Sequence, residues 1–345
     1  MKISLISFTQ NGANLGHLLS MFLDDQGYDT SVFTAGEYAK GIKTEAINKS
    51  LREWTKEQFE KAGGIVFIGA TGIAVRAIAP FIEDKLTDPA ILVIDEKGKF
   101  VIPLLSGHIG GANELAHKIA IHLGTIPVIT TATDINQMFA VDLFAKKNNL
   151  YISRMDYAKA ISATILNGKQ VGFASEFPVS GFLPDNIMDK NDCDYGISIS
   201  LNEKKELFEK TLILIPKIIT LGIGCRKGKT ADEIENVVLV VLRLNRISPH
   251  SISKVASIDL KKEEVGLLEF CDRLNLKLIT YSAEMLEKVD GIYSESDYVK
   301  SVAGVGNVCE RAAILSSGNG IMVQKKYAKN GVTVCIAKQD WSVTF

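Results

Sequence analysis

A histidine and a carboxylate flank a glycine-rich junction in the segment Leu104–Glu114, which has the sequence LLSGHIGGANE. The apolar run before it predicts a strand that ends at Ser106–His108, and the residues after Gly110–Gly111 predict a helix. The glycines let a ligand approach the main chain, and the helix start offers N–H donors backed by the positive end of the helix dipole. Imidazole and carboxylate groups serve in general acid–base catalysis. The pattern therefore predicts a ligand site at this turn, with His108 and Glu114 as groups that could carry chemistry.

Three other polar loops also follow predicted strands: Thr9–Gly12, Gly69–Gly72 and Thr130–Asp134. Thr9–Gly12 taken alone is explained by ordinary capping and turn roles. In a parallel sheet, however, the carboxyl ends of all strands share one edge, where ligands bind. We therefore expect the four loops to lie together on one edge and to form a site.

Alternating strands and helices in the first third predict the sheet that positions these loops. Strands are predicted at Ile3–Phe8, Thr30–Phe33, Ile65–Ile68, Ile91–Ile94, Val101–Leu104 and Val128–Thr130. Helices are predicted at Leu15–Leu23, Leu51–Lys61, Ile73–Ile82 and Ala112–Leu123. The turn Asp95–Gly98 predicts a hairpin between two neighbouring strands.

The whole chain is predicted to be α/β and to divide into three domains. Residues 1–134 form an N-terminal domain with a doubly wound, mainly parallel sheet, and residues 135–216 form a small α/β middle domain. Residues 217–345 form a second α/β domain with a mixed sheet, in which an Asn-Gly pair joins a final hairpin. No catalytic constellation is evident in the middle domain.

Two further glycine-rich helix starts lie in the last third. In Gly222–Thr230, Gly222 lies one residue too early to be the first glycine of a nucleotide-binding Walker loop. Arg226 and Lys227, beside helix amides, nevertheless suit an anion. A solvated basic turn is the competing interpretation. The second start, Val302–Ala313, lacks the spacing of a dinucleotide site. Its Arg311 could hold a carboxylate or pair with a surface acid, and the sequence favours neither.

Composition excludes several classes of function. The 345 residues carry a formal net charge of -1 without a basic block, which argues against nucleic acid and anionic membrane as partners. The five cysteines form no CxxC pair, so we expect free thiols in a reducing cytoplasm. His117 and His122 are five residues apart and do not match a helical zinc pair. They are expected to be surface or satisfied helix residues, and no protein-bound metal is expected.

Five segments of the chain together resemble the CbiG family, the cobalt-precorrin-5A hydrolases of anaerobic cobalamin (vitamin B12) biosynthesis. The resemblance is carried by Gly69–Arg76, Pro103–Ala116, Thr130–Asp134, Leu221–Gly228 and Val302–Ala313. It is specific in the two end regions, whereas the middle is matched mainly by position.

The resemblance implies a reaction on a cobalt-containing, contracted tetrapyrrole with a δ-lactone and several carboxylate side chains. Water opens the lactone, a two-carbon fragment leaves as acetaldehyde, and the product is cobalt-precorrin-5B. Cobalt then belongs to the substrate, and no cofactor is bound by the protein itself. The family also suggests transient contact with neighbouring methyltransferases of the pathway.

On this hypothesis His108 or Glu114 is the catalytic base, and N–H groups near Gly110–Ala112 stabilise the developing oxyanion. Arg76, Arg226 and Lys227 hold peripheral carboxylates. The full set of residues expected to contact substrate is Thr71, Gly72, Arg76, Ser106, Gly107, Gly110, Gly111, Asn113, Thr131, Gly224, Cys225, Arg226, Lys227, Gly304, Gly306 and Glu310.

Two other classes stay open at this point. A carrier that binds labile corrinoid intermediates without transforming them would have a similar sequence, because basic loops bind carboxylates in either case. A nucleotide-dependent transferase would use the Gly222–Thr230 loop, although its misplaced glycine argues against this.

Overall fold

A computed structural model describes residues 1–35, 44–84, 87–135, 138–189 and 192–345, with no side-chain description for Thr133 and Asp134. The chain forms two compact units, Met1–Met138 and Phe139–Phe345. Across the described ranges, no helix is long and apolar enough to cross a membrane.

The first unit is a twisted sheet covered by helices on both faces. Its strands are β1 Lys2–Ser7, β2 Asp29–Thr34, β3 Glu45–Ala46, β4 Gly64–Ile68, β5 Ala90–Ile94, β6 Phe100–Leu105 and β7 Ile126–Pro127. Its α-helices are α1 Gln10–Asp25, α2 Leu51–Lys61, α3 Thr71–Ile78, α4 Ala112–Leu123 and α5 Ala132–Ile135, and α3 continues into a 3₁₀ turn at Ala79–Phe81. The strand order is β3-β2-β1-β4-β5-β6-β7.

Alternation along the strands explains the two helix layers. Ile3 and Leu5 of β1 pack with the buried faces of α1 and α4. Ile6 points to the other face, where it joins Trp54 of α2 and Ile78 of α3. Because successive strand residues point to opposite faces and both faces are covered, the central strands are apolar throughout.

Strand direction changes once in this sheet, and this corrects one expectation. β1, β2, β3, β4 and β5 run parallel, but the hairpin after Ile94 makes β6 antiparallel to β5, and β7 follows β6. Leu105, the last residue of β6, therefore lies beside Ile91 near the start of β5. The hairpin itself was predicted correctly; the parallel direction of the strands beyond it was wrong.

The described residues of the second unit form two five-stranded sheets and one two-stranded pair. The first comprises β8 Leu150–Ile152, β9 Val171–Ser175, β11 Ile187–Met188, β12 Tyr195–Ile199 and β13 Lys210–Pro216, in the order β11-β9-β12-β13-β8. Only the β8–β13 pair among these is antiparallel. The helices α6 Val141–Lys147 and α7 Met155–Leu166 belong to this section.

The second sheet has mixed strand directions. It comprises β14 Ile219–Cys225, β15 Ile252–Ile258, β16 Lys277–Tyr281, β17 Ile321–Lys329 and β18 Val332–Lys338, in the order β16-β15-β14-β18-β17. The helices are α8 Ala231–Leu244, α9 Val265–Arg273, α10 Ala283–Glu287, α11 Asp297–Ala303 and α12 Cys309–Ser316, with 3₁₀ turns at Pro249–Ser251 and Asp259–Lys261. α8 and α9 cover one face, while α10 and α12 cover the other.

The segment 341–345 returns to the first sheet section of this unit. Its strand β19, Val343–Thr344, pairs in parallel with β10, Val179–Ser180. Asn148 and Thr344 exchange two hydrogen bonds, of 2.9 and 2.8 Å. The Phe345 ring packs on Phe144 at a centroid distance of 4.6 Å. This return contact joins the two sheet sections into one compact unit.

The predicted fold class is confirmed: α/β throughout, with a doubly wound first sheet and a mixed last sheet. One predicted strand differs in position: the strand predicted at Val128–Thr130 is replaced by β7 at Ile126–Pro127. The division into domains at residues 134/135 and 216/217 stays a prediction.

Candidate functional site

The loop that carries His108 is a tight coil stabilised by its own residues. Ser106 adopts φ 55, in the left-handed region, and its hydroxyl donates a 2.9 Å hydrogen bond to the Asp88 carbonyl. A Cβ atom on Gly110 would lie 2.4 Å from the Ser106 Cβ, so only glycine fits there. Gly111, at φ 86, leads into α4. His108 lies half-buried in this coil.

The first amides of α4 are occupied by the loop. Ala112 N donates to the Ser106 carbonyl at 3.1 Å, and Asn113 N donates to the Gly107 carbonyl at 3.0 Å. Gly111 N donates to the His108 carbonyl at 3.1 Å. The expectation that these amides receive an oxyanion is therefore wrong for Gly111 and Ala112 in this conformation. Their role is to fold the main chain around His108.

A buried asparagine fastens the neighbouring loop to this coil. Asn113 is 7% exposed, and its side-chain amide donates to Thr131 Oγ1 at 3.1 Å. Gly107 lies directly against the Asn113 side chain, because a Cβ there would be 2.8 Å from its Oδ1 atom. The structure thus brings together the predicted residues around His108: Ser106, Gly107, Gly110, Gly111, Asn113 and Thr131.

Glu114 occupies a different environment from His108. Its side chain is 67% exposed and pairs with Lys118, one helical turn along, at 2.8 Å. Lys118 also donates to the Tyr28 hydroxyl at 3.1 Å. The hydrogen bond to Glu114, supported by the one to Tyr28, raises the pKa of Lys118, so the ammonium group is stabilised as the cation. The carboxylate therefore has a permanent cationic neighbour on the outer surface of α4.

The predicted residues of the first unit lie on two opposite edges of the sheet. The carboxyl ends of β1 and β4 form one edge, called here the switch edge because the strand order reverses there. It carries the loops Thr9–Gly12 and Gly69–Gly72. Since β6 runs the other way, Ser106–His108 and Thr131 lie on the far edge, called here the His108 edge. Strands of about five residues separate the two by roughly 15 Å.

The prediction of four loops on one edge is therefore wrong, and the loops form two pairs. On the switch edge, Thr71, Gly72 and Arg76 are all exposed at the start of α3. The Arg76 guanidinium donates to the Gly72 carbonyl at 3.1 Å, which folds it back over the loop. Arg76 is thus an accessible cation, but it is not a neighbour of His108.

In the second unit, the loop after β14 is held from inside by a carboxylate. The Gly228 amide donates to Glu264 Oε1 at 2.7 Å, and Lys261 pairs with the other oxygen of Glu264 at 2.7 Å. Burial alone raises the pKa of Glu264, but the bonds from Lys261 and the Gly228 amide outweigh it and leave the pKa below its ordinary value. A carboxylate of the chain itself thus already occupies one main-chain amide of this loop.

The two cations of this loop stay available to a ligand. Arg226 and Lys227 are exposed, and within the part of the chain that the structure describes their side chains have no hydrogen-bond or ion-pair partner. Cys225 lies behind them, where burial raises the pKa of its thiol and makes it a weak nucleophile. Thr333 donates to the Gly224 carbonyl at 3.1 Å and fixes the strand end.

Glu310, predicted to contact substrate, is fully buried instead. Its Oε2 atom accepts from Ser294 N at 2.7 Å and from Asn307 Nδ2 at 2.9 Å. Its Oε1 atom accepts from Ser294 Oγ at 3.0 Å and from Lys326 N at 2.7 Å. Both oxygens are saturated by the chain's own donors, so the prediction of substrate contact is wrong and Glu310 organises the loop before it.

The glycines near Glu310 have packing roles. Gly304 ends α11 in the left-handed region at φ 76. A Cβ on Gly306 would lie 1.5 Å from a carboxylate oxygen of Glu295, so only glycine fits. Glu295, a half-exposed acid, in turn pairs with Arg311 at 3.1 Å, so Arg311 has a surface acid of its own chain as its partner.

Sequence reasoning missed Asp88, Glu264 and the segment 288–293. Asp88 and Glu264 act on loops that lie 18 and 36 residues away along the chain, so no local motif marks them. Segment 288–293 lines a cleft and contains a single glycine, so no glycine-rich motif marks it.

Family models cover most of the chain in three consecutive blocks. Cobalamin synthesis G N-terminal matches residues 53–134, the cobalamin biosynthesis central region matches residues 139–216, and cobalamin synthesis G C-terminus matches residues 219–337. A cobalt-precorrin-5A hydrolase of Priestia megaterium is 31% identical over 97% of this chain and 94% of its own length.

The chain belongs to the CbiG family. A second CbiG relative, a cobalt-precorrin-5A hydrolase of Salmonella typhimurium, is 35% identical over 81% of this chain and 83% of its own. A solved structure described as a cobalamin biosynthesis protein G homolog, from Sulfolobus solfataricus, covers 98% of this chain at 24% identity and a TM-score of 0.44. The family relationship suggested by the five sequence segments is confirmed.

Proposed function

We propose that this CbiG protein is a cobalt-precorrin-5A hydrolase. Water opens the δ-lactone of the substrate, and the two-carbon fragment leaves as acetaldehyde to give cobalt-precorrin-5B. The observation that carries the proposal is that the Priestia and Salmonella relatives, which match over most of both chains, are named for this activity. The exposed cations Arg76, Arg226 and Lys227 support it, because they suit a polycarboxylate substrate.

His108 is the stronger candidate for the general base. A base is effective when it is positioned within reach of the reacting water and can accept a proton at the working pH. His108 lies half-buried in a coil whose shape depends on Ser106 and Gly110. Glu114 is largely exposed on the outer surface of α4, and its carboxylate is already paired with Lys118.

The remaining groups are assigned to binding. Arg226 and Lys227 meet peripheral carboxylates of the macrocycle. Arg76, on the edge opposite His108, is also assigned to a peripheral carboxylate and not to the lactone. Cobalt enters as part of the substrate in this proposal. The free thiols of Cys225, Cys271, Cys309 and Cys335 fit a reducing cytoplasm.

The deciding experiment is anaerobic release of acetaldehyde from cobalt-precorrin-5A, followed with alcohol dehydrogenase and NADH. Wild-type protein should turn over many equivalents without added nucleotide. His108→Ala should lower turnover by roughly 10²–10⁴-fold, the usual contribution of a general base. Glu114→Gln, which tests the competing candidate base in α4, should change turnover less than about threefold.

The alternatives give different results in the same assay. Stoichiometric binding of the substrate without acetaldehyde would identify a carrier. A requirement for ATP would identify a nucleotide-dependent enzyme. Near-wild-type turnover by His108→Ala, together with a large loss in Glu114→Gln, would transfer the role of base to Glu114.

A further inference from the structure

A cleft of about 550 Å³ opens in the second unit. One wall is the end of α10 and the segment 288–293 that follows it. The other wall is the end of α12 and the start of β17. Its volume falls within the range of small-molecule sites, which is roughly 300–1,000 Å³.

The lining of this cleft exposes apolar and polar surface in nearly equal parts, and it is open to water. Met285, Val289, Ile292, Tyr293, Leu315 and Met322 contribute to it. Ile292 is 90% exposed and Met285 is 50% exposed. Apolar side chains gathered around a concavity at such exposure indicate a binding surface, and methionine adapts to flat or irregular apolar ligands.

The wall formed by the end of α10 and segment 288–293 is held in place by two consecutive residues of α12, Glu310 and Arg311. Glu310 accepts two hydrogen bonds from Ser294, as described above. The Arg311 guanidinium donates to the carbonyls of Leu286, Glu287 and Val289 at 3.2, 3.0 and 3.2 Å. It also lies over the Tyr293 ring, 4.7 Å from the ring centre.

This support makes the wall preorganised. Tyr293 closes the turn on itself by donating to the Asp290 carbonyl at 2.7 Å. Burial of the Glu310 carboxylate and of most of the Arg311 guanidinium group carries a desolvation cost. The hydrogen bonds that these two groups make to the wall offset that cost. A wall held rigidly before binding lowers the entropy lost when a ligand binds.

The charge at the rim selects the ligand class. Lys288 lines the cleft, and its pairing with Glu284 at 2.6 Å is between two exposed groups. Such surface pairs contribute little, so the ammonium group can turn to a ligand carboxylate. Asp290 lies on the same rim and disfavours a second carboxylate beside it. The combination suits a flat apolar body with a carboxylate at one point of its edge.

We propose that this cleft binds one apolar edge of the tetrapyrrole substrate, with Ile292 and Met285 against the ring and Lys288 at a peripheral carboxylate. The proposal rests on the proposed function for the identity of the ligand. It adds a substrate contact in a part of the chain where the motifs indicated none.

The test compares Ile292→Ala with Leu244→Ala. Leu244 is also an exposed aliphatic residue of this unit, at 66%, but it lies at the end of α8 and outside the cleft. Neither side chain supports the core, so both variants should fold. KM and kcat are measured by acetaldehyde release from cobalt-precorrin-5A, and binding is measured by absorbance titration with cobyrinic acid, a stable cobalt corrinoid polycarboxylate.

Ile292→Ala should raise KM and the dissociation constant for cobyrinic acid by about tenfold, because a buried apolar contact is lost. Its kcat should stay within about twofold of wild type, and Leu244→Ala should change neither quantity. Lys288→Gln should weaken binding by a smaller factor that disappears at high salt.

Failure of this inference differs from failure of the proposed function. Normal turnover with the same KM in Ile292→Ala and Leu244→Ala would overturn the cleft assignment alone. Wild-type binding of cobyrinic acid without acetaldehyde release, weakened in Ile292→Ala, would retain the cleft and overturn the hydrolase. A wild-type protein that neither binds the corrinoid nor releases acetaldehyde would overturn both.

Discussion

At the scale of single residues, Glu310 shows how a carboxylate in a sequence motif can be committed to structure. It is fully buried, and four donors from Ser294, Asn307 and Lys326 converge on its two oxygens. A buried acceptor of this kind has no capacity left for a ligand. Its effect on binding must therefore act through the segment that it holds.

Replacing Glu310 with Ala should destabilise the second unit by about 3 kcal/mol or more. The change leaves several buried donors without an acceptor, and each unsatisfied group costs roughly 1–3 kcal/mol. Amide hydrogen exchange across 290–296 should accelerate markedly. Glu263→Gln, at an exposed position, is the matched control and should leave exchange in this segment unchanged. Unaltered protection in Glu310→Ala would show that the hydrogen-bond network is dispensable.

At the scale of elements, strand direction decides which loops can share a site. The turn Asp95–Gly98 could be recognised from its aspartate and glycine. In the structure Asp95 accepts hydrogen bonds from Lys97 N and Phe100 N, and Gly98 adopts φ 65. The turn reverses the direction of β6 and β7 relative to β5. This reversal is not visible in the sequence of either strand. Local patterns therefore predicted that the strands exist, whereas the edge on which each loop lies required the pairing.

The candidate site likewise has some features that a local motif predicts and others that depend on distant contacts. Gly110, Gly111 and Asn113 could be assigned to a tight loop, because glycine and asparagine there meet local requirements that the motif displays. The burial of Glu310 could not be predicted, since carboxylates are rarely fully buried and its partners are up to 16 residues away. The cleft beside segment 288–293 has no motif at all.

The loop after β14 should respond to acid through Glu264. Its folded-state pKa lies below the ordinary carboxylate value, so its bonds to Lys261 and Gly228 N stabilise the fold above about pH 4.3, the unperturbed value. That stabilisation is lost as the pH falls through the lowered folded-state pKa.

Urea unfolding at pH 7 and at about pH 3 would check this. Glu264→Gln should unfold at lower urea than wild type at pH 7, and the difference should shrink at the lower pH. Glu263→Gln should match wild type at both. An equal difference at both pH values would show that the charge of Glu264 is not what stabilises the loop.

At the scale of the whole molecule, the segment 341–345 links distant parts of the second unit. Phe345 packs on Phe144, Phe173 and Phe139 at ring-centre distances of 4.6, 4.9 and 5.9 Å. Phe345→Ala should destabilise this unit by about 2–4 kcal/mol, a typical loss for a large aromatic side chain that is not fully enclosed. Faster hydrogen exchange in 141–147 and 171–175 would report it.

Phe182→Ala is the control for that experiment. Phe182 is 96% exposed in the same unit, so its removal should stay within about ±0.5 kcal/mol of wild type. If both variants behaved alike, the aromatic cluster around Phe345 would not be a source of stability.

The contact between Asn148 and Thr344 also sets an order of events during synthesis. These partners are 196 residues apart, and a bacterial or eukaryotic ribosome adds roughly 5–20 residues per second. About 10–40 s therefore pass between translation of Asn148 and translation of β19, which carries its partner Thr344. During that interval the aromatic surface around Phe144 is uncovered, and nascent chains on one polysome present it to each other. The waiting time, more than the finished stability, would then determine how much of this protein needs chaperone protection.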